Sequence, residues 1–255
     1  MTNNSDDSPW WSPKSIREQE QHIRSLADQG ELDTRNDFAS YRALADGADP
    51  ISAGLHHHNP YTESHIRALC RDYRNILHYL AFTPPQRIID LGCGAGFTTG
   101  GLKQFWPHAE VEGIDVSHDA VRFASATWPN CSFTARAIDP AEPLSTEQYD
   151  LILCQEFYPF TRTSSLEEHQ HWLTYVTSQL TQHGAAIITV TASNQESITA
   201  NIKTLRQSFA LKQIDVAVPR LSRHVPLLIS RVAGVIAKRV KPEWVRSVYV
   251  VSKSR

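Results

Sequence analysis

Apolar residues at Ile66, Leu69, Cys70, Tyr73, Ile76, Leu77 and Leu80 recur at helical spacing from Ser64 and stop before Pro84 and Pro85. This predicts a helix that packs one face on a sheet. Beyond the prolines the period changes. Apolar runs of strand length at 87–91, 110–116, 131–139, 149–156, 185–192, 211–218 and 245–252 alternate with helical stretches at 97–105, from Ser117, at 166–180 and at 197–208. Such alternation predicts an α/β fold built on a doubly wound, mostly parallel, seven-stranded sheet.

The ends of the chain depart from this rhythm. Residues 1–12 are polar and predicted disordered. Ser12 and Pro13 start a weak helical stripe through Ile16, Ile23, Leu26 and Ala27 that stops at Gly30, and a second short helix at 37–46 ends at Gly47. Residues 13–83 are thus read as a helical cap plus the first sheet-packing helix, and 84–255 as the sheet domain. Residues 219–244 form an insertion before the last strand, where a tight hairpin would have sufficed. There Leu228, Ile229, Val232, Val235, Ile236 and Val240 occupy one helical face and Arg231, Gly234, Lys238 and Lys241 the other, until Pro242. Arg220, Arg223, Arg231, Lys238, Arg239, Lys241 and Arg246 face one local acid, Glu243. The helix reads as a lid on the rim of an active site, or as a contact with a membrane surface or an anionic substrate.

The first strand runs into Gly92, Gly94 and Gly96, and helical spacing resumes at Phe97. Glycine at alternate positions lets the backbone turn tightly and lets a ligand approach without meeting a Cβ, so a nucleotide-binding loop is the first reading. A dinucleotide fingerprint G-x-G-x-x-G would place its third glycine at 97, where Phe97 stands. Asp90, two residues before the first glycine, would repel a diphosphate but attract a cation.

Composition narrows the class. With 255 residues and 41% hydrophobic content the chain can bury a sizeable core, and its net charge of −2 carries no general polyanion-binding signal. No apolar leader or membrane-length stretch is read, so a cytoplasmic protein is expected. Cys70, Cys93, Cys131 and Cys154 form no C-x-x-C pair and read as reduced structural thiols. His56, His57 and His58 lie in a predicted loop before Asn59 and Pro60. Adjacent histidines point in different directions and rarely share one ion, so no metal site is assigned. A solvated loop, or a catalytic or substrate-binding histidine, remains open.

The motif D-L-G-C-G-A-G at 90–96 resembles motif I of the class I S-adenosylmethionine-dependent methyltransferases, and the similarity runs from about Gln86 to the C-terminus. The resemblance implies an antiparallel last strand, S-adenosylmethionine as cofactor, and cap helices that close over it. It implies contacts from Asp90, Gly92, Cys93, Gly94, Ala95 and Gly96, with the N-terminus of the following helix meeting the cofactor carboxylate. Asp115 and Val116, ending the second strand, match motif II, where an acid accepts from both ribose hydroxyls. A lesser reading has Asp115 capping the helix that starts near Ser117. The third strand departs from the family pattern: its tip holds Ala137, so adenine recognition falls to Asp139 reaching back or to the backbone near Ile138. At the fourth strand, Cys154, Gln155 and Glu156 would lie beside the methionine end, and Phe157–Phe160 would wall a substrate pocket or belong to the core.

Motif I announces a cofactor but no acceptor. The chain lacks the [DNS]-P-P-[YFW] motif of nucleic-acid amine methyltransferases, the glutamate pair of the protein arginine enzymes and the second ligand set of the metal-dependent catechol type. A small-molecule acceptor is expected, with a hydroxyl of a sugar, lipid precursor or secondary metabolite foremost. Glu156 would orient it, and one histidine of the triplet, His57 or His58 foremost, would take its proton. The rivals are a non-catalytic S-adenosylmethionine-binding module and an RNA methyltransferase using the basic C-terminal segment.

Overall fold

A computed structural model describes residues 39–48, 63–161, 165–191, 195–217, 227–240 and 245–253. The predicted tail 1–12, the helix from Pro13 to Gly30, and His56, His57 and His58 lie outside the described residues.

Seven strands form one sheet in the order β3-β2-β1-β4-β5-β7-β6. They are β1 (Arg87–Leu91), β2 (Glu110–Asp115), β3 (Ser132–Ala135), β4 (Tyr149–Gln155), β5 (Leu180–Thr191), β6 (Ala210–Ala217) and β7 (Val245–Ser252). Neighbours β1 to β5 pair in parallel, whereas β7 runs antiparallel to both β5 and β6, as the resemblance implied. The central strands are almost wholly apolar because both faces are covered.

On one face, Ile88, Leu151, Leu153, Ile187, Val248 and Val250 pack with Tyr73 and Ile76 of α2 (Glu63–Tyr79) and Leu102 of α3 (Phe97–Phe105). On the other, Ile89, Ile152, Cys154, Ile188 and Tyr249 pack with Leu173 of α6 (Leu166–Ser178) and Ile198 and Ile202 of α7 (Gln195–Ser208). The remaining helices are α1 (Ala39–Ala45), α4 (His118–Thr127), α5 (Tyr158–Thr161) and α8 (Leu227–Val240). The strand order reverses between β1 and β4, which opens a crevice at their carboxyl ends where the glycine loop sits. Among the described residues no helix is long and apolar enough to cross a membrane.

One expectation is corrected and two features are new. The third strand ends at Ala135, not at 139, because its partner β2 ends at Asp115, the residue paired with Ala135. Asp139 therefore stands in a loop. The apolar face of the 219–244 helix is turned outward, since α8 approaches β6 through small residues: a Cβ added to Gly234 would lie 2.9 Å from the Asp215 carbonyl oxygen. Arg246, counted with the basic surface residues, is buried on β7.

Candidate functional site

The glycine loop is tied to the end of β2. The amides of Gly92 and Cys93 both donate to the Ile114 carbonyl, at 2.8 and 3.0 Å. Gly94 and Gly96 have φ of 52° and 74°, the left-handed region that a side chain would strain. Space forbids one at Gly96 as well, because an added Cβ would stand 2.9 Å from the Cβ of Ala124 and from the Phe133 ring. The N-cap of α3 is Gly96, which offers no side-chain oxygen to the first turn.

Two buried carboxylates flank the loop. Asp115 Oδ2 accepts from the Gly94 amide at 2.8 Å and Oδ1 from the Ser117 amide at 2.9 Å. Burial pushes the Asp115 carboxyl up, while the amides of Ser117, Gly94 and Val116 oppose the shift. The cap of α4 is Ser117, whose Oγ accepts from the Ala120 amide at 3.2 Å. Asp90 Oδ2 accepts from Thr99 Oγ1 at 2.7 Å. Burial raises the Asp90 carboxyl to about 7, against the pull of the Thr99 hydroxyl and with the help of the Asp115 charge.

Across the crevice, Gln155 Oε1 accepts from Tyr73 Oη at 3.1 Å and from Thr98 Oγ1 at 3.2 Å, joining β4 to α2 and α3. Glu156 follows in a left-handed conformation, φ 51°, with its amide donating to the Thr189 carbonyl at 3.0 Å. A non-glycine residue held there costs about 1 to 3 kcal/mol, which points to a constrained strand tip. Phe157 lies over Gly92 and meets Trp172 edge to face, with centroids 5.4 Å apart. Phe160, by contrast, is ordinary core.

The other predicted residues are spread more widely. Cys93 and Ala95 are buried in the loop, and Val116 is half-buried beside Asp115. Ala95 packs with Leu44, so α1 leans on the loop. Ile138 packs on the core, and Asp139 is exposed, with Oδ1 accepting from the Ala141 amide at 2.8 Å. Cys154 is enclosed in the core and burial holds its thiol well above the usual range, so only its backbone reaches the tip.

Sequence reasoning passed over Tyr73, Thr98 and Thr99, which brace the site. Tyr73 was read only as part of an apolar stripe, and a hydroxyl in such a stripe near a strand tip was the signal available. It also misplaced Arg246, which is 8% exposed with no hydrogen-bond partner for Nη1 among the described residues. An arginine inside an otherwise apolar strand is the mark of a buried cation. Burial raises the Asp72 carboxyl on α2, opposed first by the Arg71 guanidinium and then by the Arg246 charge.

A family model described as a methyltransferase domain matches residues 83–238, more than half of the chain. Among curated proteins, the trans-aconitate 2-methyltransferase of Rhodopseudomonas palustris (strain BisB18) is 36% identical over 78 residues, 30% of this chain and 30% of that protein. The enzyme of that name from Yersinia pestis (strain Pestoides F) is 30% identical over 118 residues, 46% of this chain and 43% of the relative. The match therefore spans less than half the length of either relative. Among solved structures, the plantazolicin methyltransferase BpumL, in complex with a pentazolic desmethylPZN analog and SAH, superposes with a TM-score of 0.57 at 14% identity, covering 92% of this chain and 99% of that one. An S-adenosylmethionine-dependent methyltransferase from Clostridium acetobutylicum ATCC 824 gives 0.54 at 11% identity, covering 78% and 96%. At these identities the likeness is one of fold.

Proposed function

The chain belongs to the methyltransferase-domain family, and from that premise we propose that it transfers the methyl group of S-adenosylmethionine to a small-molecule acceptor, with an acceptor hydroxyl as the receiving group. The observation that carries the reading is the Asp115 carboxylate, buried at the end of β2 and aimed by the Gly94 and Ser117 amides beside a glycine loop with no room for side chains. A carboxylate oxygen that accepts one amide keeps further lone-pair capacity, which suits it to the paired hydroxyls of a ribose. Asp90 supplies negative charge for the ammonium end, the first-turn amides of α3 suit the carboxylate, and Asp139 with the Ile138 backbone serves the adenine.

When bound, the cofactor supplies an electrophilic methyl on sulfur. The protein aligns the acceptor, excludes water and, for a hydroxyl, accepts its proton. Glu156, just past the end of β4, is the residue proposed to orient the acceptor, and Phe157 with Trp172 forms an apolar wall next to Gly92. His57 or His58, outside the described residues, is the proposed proton acceptor, since an unperturbed imidazole is largely neutral at pH 7. The small-molecule class is supported by relatives named for trans-aconitate. The RNA reading loses support because Arg246, part of the basic segment it invoked, is buried.

The test is incubation of pure protein with methyl-labelled cofactor and fractionated cell extract. Label is expected in the small-molecule fraction. Label in RNA or protein would overturn the acceptor class, and tight cofactor binding with no labelled product would assign a non-catalytic role. For adenine recognition, Asp139→Ala is expected to weaken the adenosyl ligand but not its inosyl analogue, which lacks the amine, and calorimetry with both ligands decides it.

A further inference from the structure

α8 is held against the sheet by its small residues. Ser230 is buried and Gly234, one turn on, presses against the Asp215 and Val216 backbone, so the helix lies close to β6. That approach turns the bulky side of the helix outward. Leu228, Ile229, Val232, Val235 and Ile236 are 52–69% exposed, and their spacing puts them in one stripe. Among the described residues the other exposed large apolar side chains are Tyr79 and Leu166. Tyr79 extends the same surface, with its ring 4.7 Å below the Arg231 guanidinium, and a groove of about 410 Å³ lined by Asn75, His78, Tyr79, Leu228 and Arg231 opens beside it.

A water-facing surface scatters its large aliphatic residues singly, and this one gathers five on a single helix. The sequence of the segment is equally one-sided in charge. α8 contains Arg231, Lys238 and Arg239 and no acid, and the whole 219–244 connection has six lysines and arginines against Glu243. An apolar stripe in a basic, acid-poor segment is the composition of a helix lying in the plane of a membrane interface, where acyl chains take the apolar side and anionic headgroups the cations. With 14 residues the helix is too short to span a bilayer. We propose that α8 seats the protein on an anionic lipid surface, with Leu228, Ile229, Val232, Val235 and Ile236 inserted at the level of the headgroups.

The test is co-flotation of the full chain with vesicles of phosphatidylcholine mixed with phosphatidylglycerol, and with phosphatidylcholine alone. Wild-type protein is expected to float with the anionic vesicles, less with the neutral ones, and less as salt is raised. The double variant Val232→Glu/Ile236→Glu is expected to lose about tenfold or more of its partitioning. Leu166→Glu, an exposed leucine away from α8, should float like wild type. Affinity for S-adenosylhomocysteine should be unchanged in the double variant, which separates failure of this inference from failure of the proposed activity. Absence of wild-type protein from both vesicle types would overturn the proposal, as would equal flotation of the double variant. A dimer detected by light scattering, broken by the double variant and indifferent to vesicles, would give the face to a second copy of the chain instead.

Discussion

Asp90 and Asp115 beneath the glycine loop, and Asp72 and Arg246 between α2 and β7, are all more than nine-tenths buried, yet their surroundings differ. The first two are braced: Thr99 donates to Asp90, and two backbone amides aim Asp115. In the second region Asp72 Oδ2, Arg246 Nη1 and Ser230 Oγ find no hydrogen-bond partner among the described residues, and the nearby face of α8 is apolar and exposed. Buried charge is costly unless paired. Where the chain braces it, geometry is fixed before a ligand arrives, which is what a cofactor shared by a whole family requires. On the α8 side the tie is looser, Asp72 Oδ1 accepting from its sequence neighbour Arg71 at 3.4 Å, and the apolar face of α8 is turned outward.

The comparison breaks most easily at the loop. Gly96→Val forces a branched side chain into a left-handed position already touching Ala124 and Phe133, and strain plus overpacking should cost about 2 to 5 kcal/mol and abolish cofactor binding. Urea unfolding with calorimetry would measure both, and near-wild-type values would remove the loop from the site. Asp115→Ala takes away charge-assisted hydrogen bonds valued at about 1.5 to 3 kcal/mol, so affinity for S-adenosylmethionine should drop ten- to a hundredfold. An unchanged dissociation constant would mean that Asp115 only braces Gly94.

A smaller effect separates Asp90 from an ordinary surface carboxylate. Its folded value of about 7 lies above the ordinary 3.8, so the folded state holds the extra proton in between, and stability should fall as pH rises through that window. The slope is about 1.4 kcal/mol per pH unit at most, it flattens above pH 7, and Asp90→Asn should remove it; denaturation curves at pH 5 and pH 7 give the sign. The smallest expected effect is on the other side of the comparison. Val232→Glu/Ile236→Glu should change unfolding free energy by no more than about 0.5 kcal/mol, because both side chains already face water. A larger loss in thermal melting would show that the α8 stripe is covered.

The same contrast governs what could be read from the chain. The bounds of β1, α3 and β7 followed directly from apolar runs closed by glycine, proline or charge, and the Asp90, Gly94 and Asp115 cluster followed from the glycine spacing together with the resemblance to motifs I and II. β3 was overextended because a strand ends where its partner ends, and the end of β2 at Asp115 is a property of the pair. The helix in the insertion was predicted, but not which of its faces is covered. Amphipathicity says which side is apolar and not which side is covered, and here Ser230 and Gly234 decided the packing by being small. Arg246 was counted by charge alone, whereas the groups its charge acts on, Cys70, Asp72 and Tyr73, come from α2, far away in sequence.

The left-handed backbone of Glu156 has a consequence for how this position changes over time. Glycine or asparagine would relieve the conformational cost there, so random substitution tends toward them wherever the carboxylate is idle. A lineage that keeps an acid at this strand tip is carrying a standing handicap, and retention across divergent descendants would be a signature of use that owes nothing to packing.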